Sequence, residues 1–368
     1  MDHEDRQISI RSDLEELSDY HSPQVDVEVR LNTNESPLPP PDSWVRELQD
    51  EIGRIPFNRY PDRRVAALRR ALADLHSVDP ERIFCANGSN EVLQCLLLAY
   101  GGPGRTVALF EPTYTLHRHI ARVTATRVAG GWRTADHRLD ERVVEDVLSR
   151  EQPVITFLCS PNNPTGRAED PAQIEQVLRK APGLVVVDEA YGQFARSSAL
   201  DLLDLRDREE PGRRVSDRLV VVRTFSKTWS MAACRLGYMV ASPEVVAACE
   251  LVALPYHLDA MTQVAGLLAL RHIDEMHERV ALLTEERGRV AAALADLPVE
   301  TWPSDANFIL FRPTGRAARQ VWKDLLQDSV LVRDCSTWRG LDECLRVTIG
   351  TPQENDRFLD ALRKSLDG

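Results

Sequence analysis

Lysine is scarce in this chain. Of 45 basic residues only four are lysine (Lys180, Lys227, Lys323 and Lys364), and the rest are arginine. Positive charge is not in excess either: 57 acidic residues leave a net charge of −12. That balance argues against a nucleic-acid binder but allows a local basic pocket for a small anion. No apolar run approaches the ~20 residues of a membrane span, and residues 1–15 hold no apolar leader segment. None of the seven cysteines forms a C-x-x-C pair. Neither a disulfide frame nor a metal site is indicated, and a cytoplasmic location is expected. No G-x-G-x-x-G follows the first strand, which disfavours a nicotinamide dehydrogenase. Internal repeats and low-complexity tracts are also missing.

What is present describes a globular enzyme-sized chain: 368 residues, 43% hydrophobic and 28% charged, enough for two domains. Residues 1–30 read as a polar lead-in with a short helix near 13–17. Residues 30–41, rich in proline and asparagine, read as an extended arm. Helices are expected over 42–52, with Asp42 as cap, and over 65–75. Short apolar runs at 83–86, 106–110, 125–128, 154–159, 184–187, 219–223 and 237–241 then alternate with helical patterns. This is the signature of an α/β fold with a mainly parallel sheet. A long amphipathic helix from Thr262 toward Leu294, with a stripe through Leu268, Ile273 and Leu282, leads to strands at 308–311, 330–333 and 345–349. The expected division is an N-terminal arm and small-domain segment (1–45), a large domain (46–260), and a linking helix with a smaller α+β domain (261–368).

One stretch organises the rest: Leu219-Val-Val-Val-Arg-Thr224-Phe-Ser226-Lys227, followed eight residues later by Arg235. A chain that writes its cations as arginine but keeps lysine at a strand end needs an amine there. Arginine stays protonated, whereas a lysine amine can be tuned to attack a carbonyl. Alone, Lys227 also reads as a solvated strand-end residue. Ligands of open α/β sheets bind beyond the carboxyl ends of the strands, and the other strand ends supply its company. They carry Asn87-Gly88-Ser89-Asn90, Glu111-Pro-Thr-Tyr114, Ser160-Pro-Asn-Asn163-Pro-Thr-Gly166 and Asp188-Glu-Ala-Tyr191.

One ligand accounts for all of them. Pyridoxal 5′-phosphate has an aldehyde for Lys227, a ring nitrogen for Asp188, a phenolic oxygen for Tyr191 and Asn163, and a ring face for Tyr114. Its phosphate suits the Gly88, Ser89 and Asn90 amides at a helix N-terminus, the Thr224 and Ser226 hydroxyls, and Arg235. Plainer readings stay open for single residues: a helix cap for Asp188, a helix start for Gly-Ser-Asn, a rim tyrosine for Tyr114, a structural turn for Asn163.

These motifs, with Leu31-Asn-Thr-Asn34-Glu-Ser-Pro37, Asn58-Arg-Tyr60-Pro61 and Leu345-Arg346-Val-Thr-Ile-Gly350, resemble the fold type I pyridoxal-phosphate enzymes of the aspartate-aminotransferase kind. Among these they are most similar to the histidinol-phosphate aminotransferases. The resemblance implies a large domain with a seven-stranded, mainly parallel sheet plus a smaller α+β domain. It also implies a homodimer with shared active sites, in which Tyr60 reaches the partner's cofactor phosphate. It gives catalytic roles to Lys227, Asp188 and Tyr191. Arg346, which its strand pattern alone would leave on the surface, becomes the ligand of a substrate carboxylate. Arg333, Tyr20, Asn34 and, from the partner subunit, Tyr256 become substrate-binding residues. Two departures stand out: Asn90 replaces a common Asp, and Ser230-Met-Ala-Ala-Cys234 replaces a glycine-rich run.

The implied reaction moves an amino group from L-histidinol phosphate to 2-oxoglutarate, giving imidazole acetol phosphate and glutamate. Its competitors are an aromatic amino-acid aminotransferase on the same scaffold, an amino-acid-phosphate decarboxylase, and a cofactor-binding module without turnover.

Overall fold

Period-two apolar runs and period-3.6 amphipathic stretches sort into two sheets with helices packed around them. The structure is a computed structural model and describes residues 9–15, 17, 23–206 and 214–368. In chain order its strands are β1 (Val29–Leu31), β2 (Ile83–Asn87), β3 (Thr106–Glu111), β4 (Arg127–Trp132), β5 (Ile155–Cys159), β6 (Leu184–Asp188), β7 (Leu219–Thr224), β8 (Leu236–Val240), β9 (Val299–Thr301), β10 (Phe308–Pro313), β11 (Val330–Asp334) and β12 (Leu345–Thr348). The helices are α1 (Asp42–Ile52), α2 (Ala66–His76), α3 (Gly88–Tyr100), α4 (Thr115–Val123), α5 (Glu141–Glu151), α6 (Pro171–Lys180), α7 (Pro243–Val252), α8 (Ala260–Ala269), α9 (Ile273–Ala295), α10 (Ala318–Gln327) and α11 (Pro352–Asp367).

The large sheet runs β2-β8-β7-β6-β5-β3-β4. Only β8 opposes its neighbours; the other pairings are parallel. Strands buried on both faces feed two cores by turns. Leu219 and Val221 enter the core that contains α2, α5, α6 and α8 residues. Val220 and Val222 enter the core that contains α3, α4 and α7 residues. The same alternation puts Val185 and Val187 on the first face, and Leu184 and Val186 on the second. By parity Asp188 and Thr224, at their strand ends, belong to the face covered by α3 and α4. This register aims the site.

The small sheet runs β1-β11-β12-β10-β9. β1 pairs parallel with β11, Val29 against Val330, so the stretch read as an unstructured arm starts in a strand. Its three residues bury Val29 and Leu31, too short a run for the pattern to register. The expected strand at 125–128 moves to Arg127–Trp132, because Ala125 takes a left-handed turn (φ 54°). This edge strand is only half-buried, which weakens its apolar signature. The expected long helix breaks at 270–272 into α8 and α9. The break rotates the buried stripe to Met276, Leu283, Val290 and Leu294, and leaves Leu282 outside. Met276 packs in the large-sheet core, the later three in the small-sheet core, so α9 bridges both. Asp42 is the first helical residue and makes no side-chain cap; Pro41 precedes it.

Candidate active site

The carboxyl ends of β3, β5, β6 and β7, the start of α3, and the segment after β1 enclose a cavity of about 360 Å³, adequate for a small aromatic cofactor. Its walls carry Lys227, Asp188, Tyr191, Asn163, Tyr114 and Arg346. Ser89, Asn90, Thr224, Ser226 and Arg235 line it as well, as do Asn34 and Arg333.

Lys227 is half-buried along its stem, and its Nζ donates to the Thr33 carbonyl at 2.9 Å. Burial lowers its ammonium to about 8, helped by Arg346 and Arg235 and opposed by Glu35. An amine so tuned is partly neutral near neutral pH.

Asp188 is buried and bonds inside the fold twice. Its Oδ1 accepts from the Ala190 amide at 3.1 Å, the cap-like contact, and its Oδ2 accepts from His117 Nε2 at 2.9 Å. His117 is fully buried and stacks on Phe157, with centroids 4.8 Å apart. Sequence reasoning missed this histidine. Its signal lay in α4, where His117 follows Tyr114 at helical spacing; the two rings meet edge to face at 5.4 Å.

Tyr191 accepts from Asn34 Nδ2 at 2.9 Å, and burial pushes its phenol up. Asn34 also exchanges bonds with Thr348, so it ties β6's end to β12. Asn163 Oδ1 accepts from Arg346 Nη1 at 2.5 Å, and Asn32 O accepts from Arg346 Nη2 at 2.9 Å. Arg346 is buried, contrary to its strand pattern, and lies over the Phe308 ring at 5.0 Å. The Ser160–Gly166 turn is braced by Asn162, whose Nδ2 donates to Pro112 O and Thr165 Oγ1 and whose Oδ1 accepts from Thr113. The structural reading of this turn holds at Asn162, and the adjacent Asn163 lines the cavity.

At the other end, Thr224 Oγ1 donates to Ser226 Oγ at 3.1 Å, and Arg235 Nη1 reaches Ser226 Oγ at 3.5 Å. Gly88 opens α3 with φ +76°, and an added Cβ would stand 2.8 Å from Arg235 Nη2. A Cβ on Gly237 would strike the Ser89 amide nitrogen at 2.2 Å. These glycines let the helix start, β8 and the guanidinium crowd into one cup. Gly88 itself backs Arg235 rather than lining the cavity.

This donor set fits pyridoxal phosphate. Helix amides, two hydroxyls and a guanidinium meet at one end, a buried carboxylate and an amine occupy the middle, and a second guanidinium closes the far end. Arg346 Nε and Asn32 Oδ1 are buried polar atoms without partners, both on cavity-lining residues.

Two further expected residues lie elsewhere. Tyr60 and Tyr256 are on the surface, stacked on each other with centroids 4.4 Å apart. They do not line this chain's cavity. Tyr20 lies outside the described residues. Among the described residues, no group of histidine, cysteine and carboxylate side chains is placed to hold a metal, and no helix is long and apolar enough to cross a membrane.

The pattern of the aminotransferase class I and II family matches residues 26–362. The histidinol-phosphate aminotransferase of Frankia casuarinae is 45% identical over 98% of this chain and 91% of its own. That of Thermobifida fusca is 45% identical over 96% and 95%. The solved histidinol-phosphate aminotransferase of Sinorhizobium meliloti, in complex with pyridoxal-5′-phosphate, superposes with a TM-score of 0.83 at 23% identity. It covers 93% of this chain and 91% of that one, a likeness of fold. With near-complete coverage by pattern and relatives alike, the chain belongs to the class I and II aminotransferases, pyridoxal-phosphate-dependent enzymes, and within them to the histidinol-phosphate aminotransferase family.

Proposed function

We propose that this chain moves the amino group of L-histidinol phosphate to 2-oxoglutarate, releasing imidazole acetol phosphate and L-glutamate. The observation that carries the reading is the pair Arg333 and Arg346, cross-strand partners on β11 and β12 that both reach the cavity holding Lys227. The two donors differ chiefly in the anion beside the amino carbon. Glutamate bears a carboxylate directly on that carbon, whereas histidinol phosphate carries its phosphate two bonds further out, on a CH₂–O arm. Arg346 suits the nearer anion, and the Arg333–Arg346 pair forms a cationic wall deep enough for the longer one.

Pyridoxal phosphate, when bound, supplies an aldehyde carbon for exchanging amines and a ring that takes up the electron pair left when the C–H bond at the amino carbon breaks. The residues do the rest. Lys227 holds the cofactor and carries a proton at Nζ, for which a pKa of about 8 is apt. Asp188, fixed by His117, would pair with the cofactor's ring nitrogen. Tyr191, protonated, and Asn163 bond the phenolic oxygen. Tyr114 covers the ring. Ser89, Asn90, Thr224, Ser226 and Arg235 bind the phosphate, where each charge-assisted bond contributes about 1.5–3 kcal/mol.

A homodimer belongs to the same reading. Phe57, Tyr60, Leu251 and Leu254 are all more than two-thirds exposed, large apolar side chains that suit burial against a second copy. Tyr60 and Tyr256 are then the partner's contributions to the cavity. A cytoplasmic location fits seven free cysteines.

The test is single-turnover loss of the yellow cofactor colour with histidinol phosphate against phenylalanine. Faster reaction with histidinol phosphate is expected; faster reaction with phenylalanine moves the assignment to an aromatic aminotransferase.

A further inference from the structure

The arm that follows β1 is rich in proline, and Pro37, Pro39, Pro40 and Pro41 have no N–H to give a strand ladder. Its carbonyls take side-chain donors instead. Those of Asn32, Thr33 and Pro39 accept from Arg346, Lys227 and Arg279. The arm is nevertheless one wall of the cavity. Asn34 bonds Tyr191, and Asn32 O bonds Arg346, so a shift of the arm displaces two residues of the site.

Three ties join the arm to the segment after β7. Lys227 Nζ donates to Thr33 O at 2.9 Å, and Ser230 Oγ donates to Ser36 Oγ at 2.9 Å. The third comes from α9. Arg279 Nη1 donates to Thr228 O at 3.0 Å, and its Nη2 donates to Pro39 O at 3.3 Å. Arg279 is only 8% exposed and does not line the cavity. It stands one turn from Met276 in the large-sheet core and one turn from Leu283 in the small-sheet core. The helix that bridges both cores thus also bridges the lysine segment and the arm. A planar fork suits two separate carbonyls, where an ammonium is a point donor. Burial works against the charge of Arg279, and Glu275, one turn earlier, offsets part of that cost.

The first of these ties cannot persist through the reaction. Lys227 Nζ must leave Thr33 O to hold the cofactor and to carry a proton. The guanidinium of Arg279 stays protonated and goes on donating.

We propose that Arg279 is a positioning residue for the site: its guanidinium ties Thr228 to Pro39, so that the arm keeps its place when the Lys227 amine turns to the cofactor. Asn34 and the Asn32 carbonyl then stay set against Tyr191 and Arg346 in every state of the lysine.

The experiment compares Arg279→Met, Arg279→Lys and Lys227→Ala with the parent. It reads amide hydrogen exchange over residues 32–38 in stripped and cofactor-loaded protein, and the visible circular dichroism of bound cofactor. In loaded Arg279→Met the arm amides should exchange about 5- to 150-fold faster than in the parent. The acceleration should be smaller in the stripped form, where Nζ still holds Thr33 O. Arg279→Lys, which reaches one carbonyl, should fall between Arg279→Met and the parent, and the cofactor's dichroism should weaken in the same order. In Lys227→Ala, which keeps the Arg279 bridge, arm exchange should stay near that of the parent. Equal acceleration in loaded and stripped Arg279→Met reduces Arg279 to a structural residue and overturns the proposal. Unchanged exchange in the loaded form overturns it too. So does a Lys227→Ala arm as loose as that of Arg279→Met, since the amine would then be the tie.

Discussion

Arg333 and Arg346 are paired directly across β11 and β12. Like charges opposite one another on a sheet face destabilise it, and among the described residues the guanidinium of Arg346 bonds the neutral oxygens of Asn163 and Asn32. An anion bound beside Arg346 would add the opposite charge that these oxygens lack. Inorganic phosphate at about 100 times its dissociation constant should stabilise the enzyme by about 2.7 kcal/mol, seen as a rise in melting temperature. Arg346→Gln should remove most of that rise.

The lowered ammonium of Lys227 sets a pH dependence. Its pKa falls from an ordinary value of 10.5 to about 8, through burial first and Arg346 second. Cofactor capture by the stripped protein, which needs the neutral amine, should rise with pH around a midpoint near 8. Arg346→Gln should move that midpoint upward. Between about 8 and 10.5 the unfolded chain holds the proton that the folded chain has lost, so Lys227 contributes stability that grows with pH across that window. A flat capture profile from pH 6 to 10 would contradict this. Lys227→Ala should lower kcat by more than roughly 10⁴-fold, and borohydride should no longer fix the cofactor.

His117 donates to a buried carboxylate, and its loss leaves Asp188 short of a partner at a cost of about 1–3 kcal/mol. His117→Phe should cut kcat by about 5- to 150-fold. The absorbance of bound cofactor should shift with it, as control of the ring nitrogen weakens. A change in melting temperature with an unaltered spectrum would reduce His117 to a packing residue.

Gly88→Ala places a methyl 2.8 Å from Arg235 Nη2 at a backbone φ of +76°. Arg235 must yield, so cofactor affinity should fall by about tenfold or more while the far-UV circular dichroism stays unchanged. Equilibrium dialysis of the cofactor measures it.

Leu254 is three-quarters exposed. If it lies at the interface between copies, Leu254→Asp should convert a dimer to a monomer in sedimentation and lower turnover, since Tyr60 and Tyr256 would then have no partner to serve. A dimeric, fully active variant would place the interface elsewhere.

Much of the site was readable because its residues punctuate strands: Asp188, Thr224 and Lys227 each follow a valine-rich run, and parity fixes the face that Asp188 and Thr224 share. Loop motifs such as Ser160–Gly166 were equally plain, since two prolines and a glycine leave few shapes. What escaped was made by packing between distant segments. His117 looks like any helix residue until Asp188 is set beside it. Arg346 sits in β12, whose four residues are all buried and which lies between β11 and β10, a placement that no local pattern announces. β1 is three residues long and becomes a strand only by pairing with β11. The break in α8–α9 lies at residues 270–272, where no proline or glycine marks it.

That pairing orders events in time. Val29 meets Val330, and the segment after β1 delivers Thr33 to Lys227 and Asn34 to Tyr191 and Thr348. A ribosome must have emitted residues 330–332 before residues 29–31 find their seat, and closing so long a loop is slow. Tight retention of the vitamin-derived ligand is then a natural proofreading signal for a finished molecule: fragments stopped before residue 330 should fail to hold it, however well their central sheet has formed.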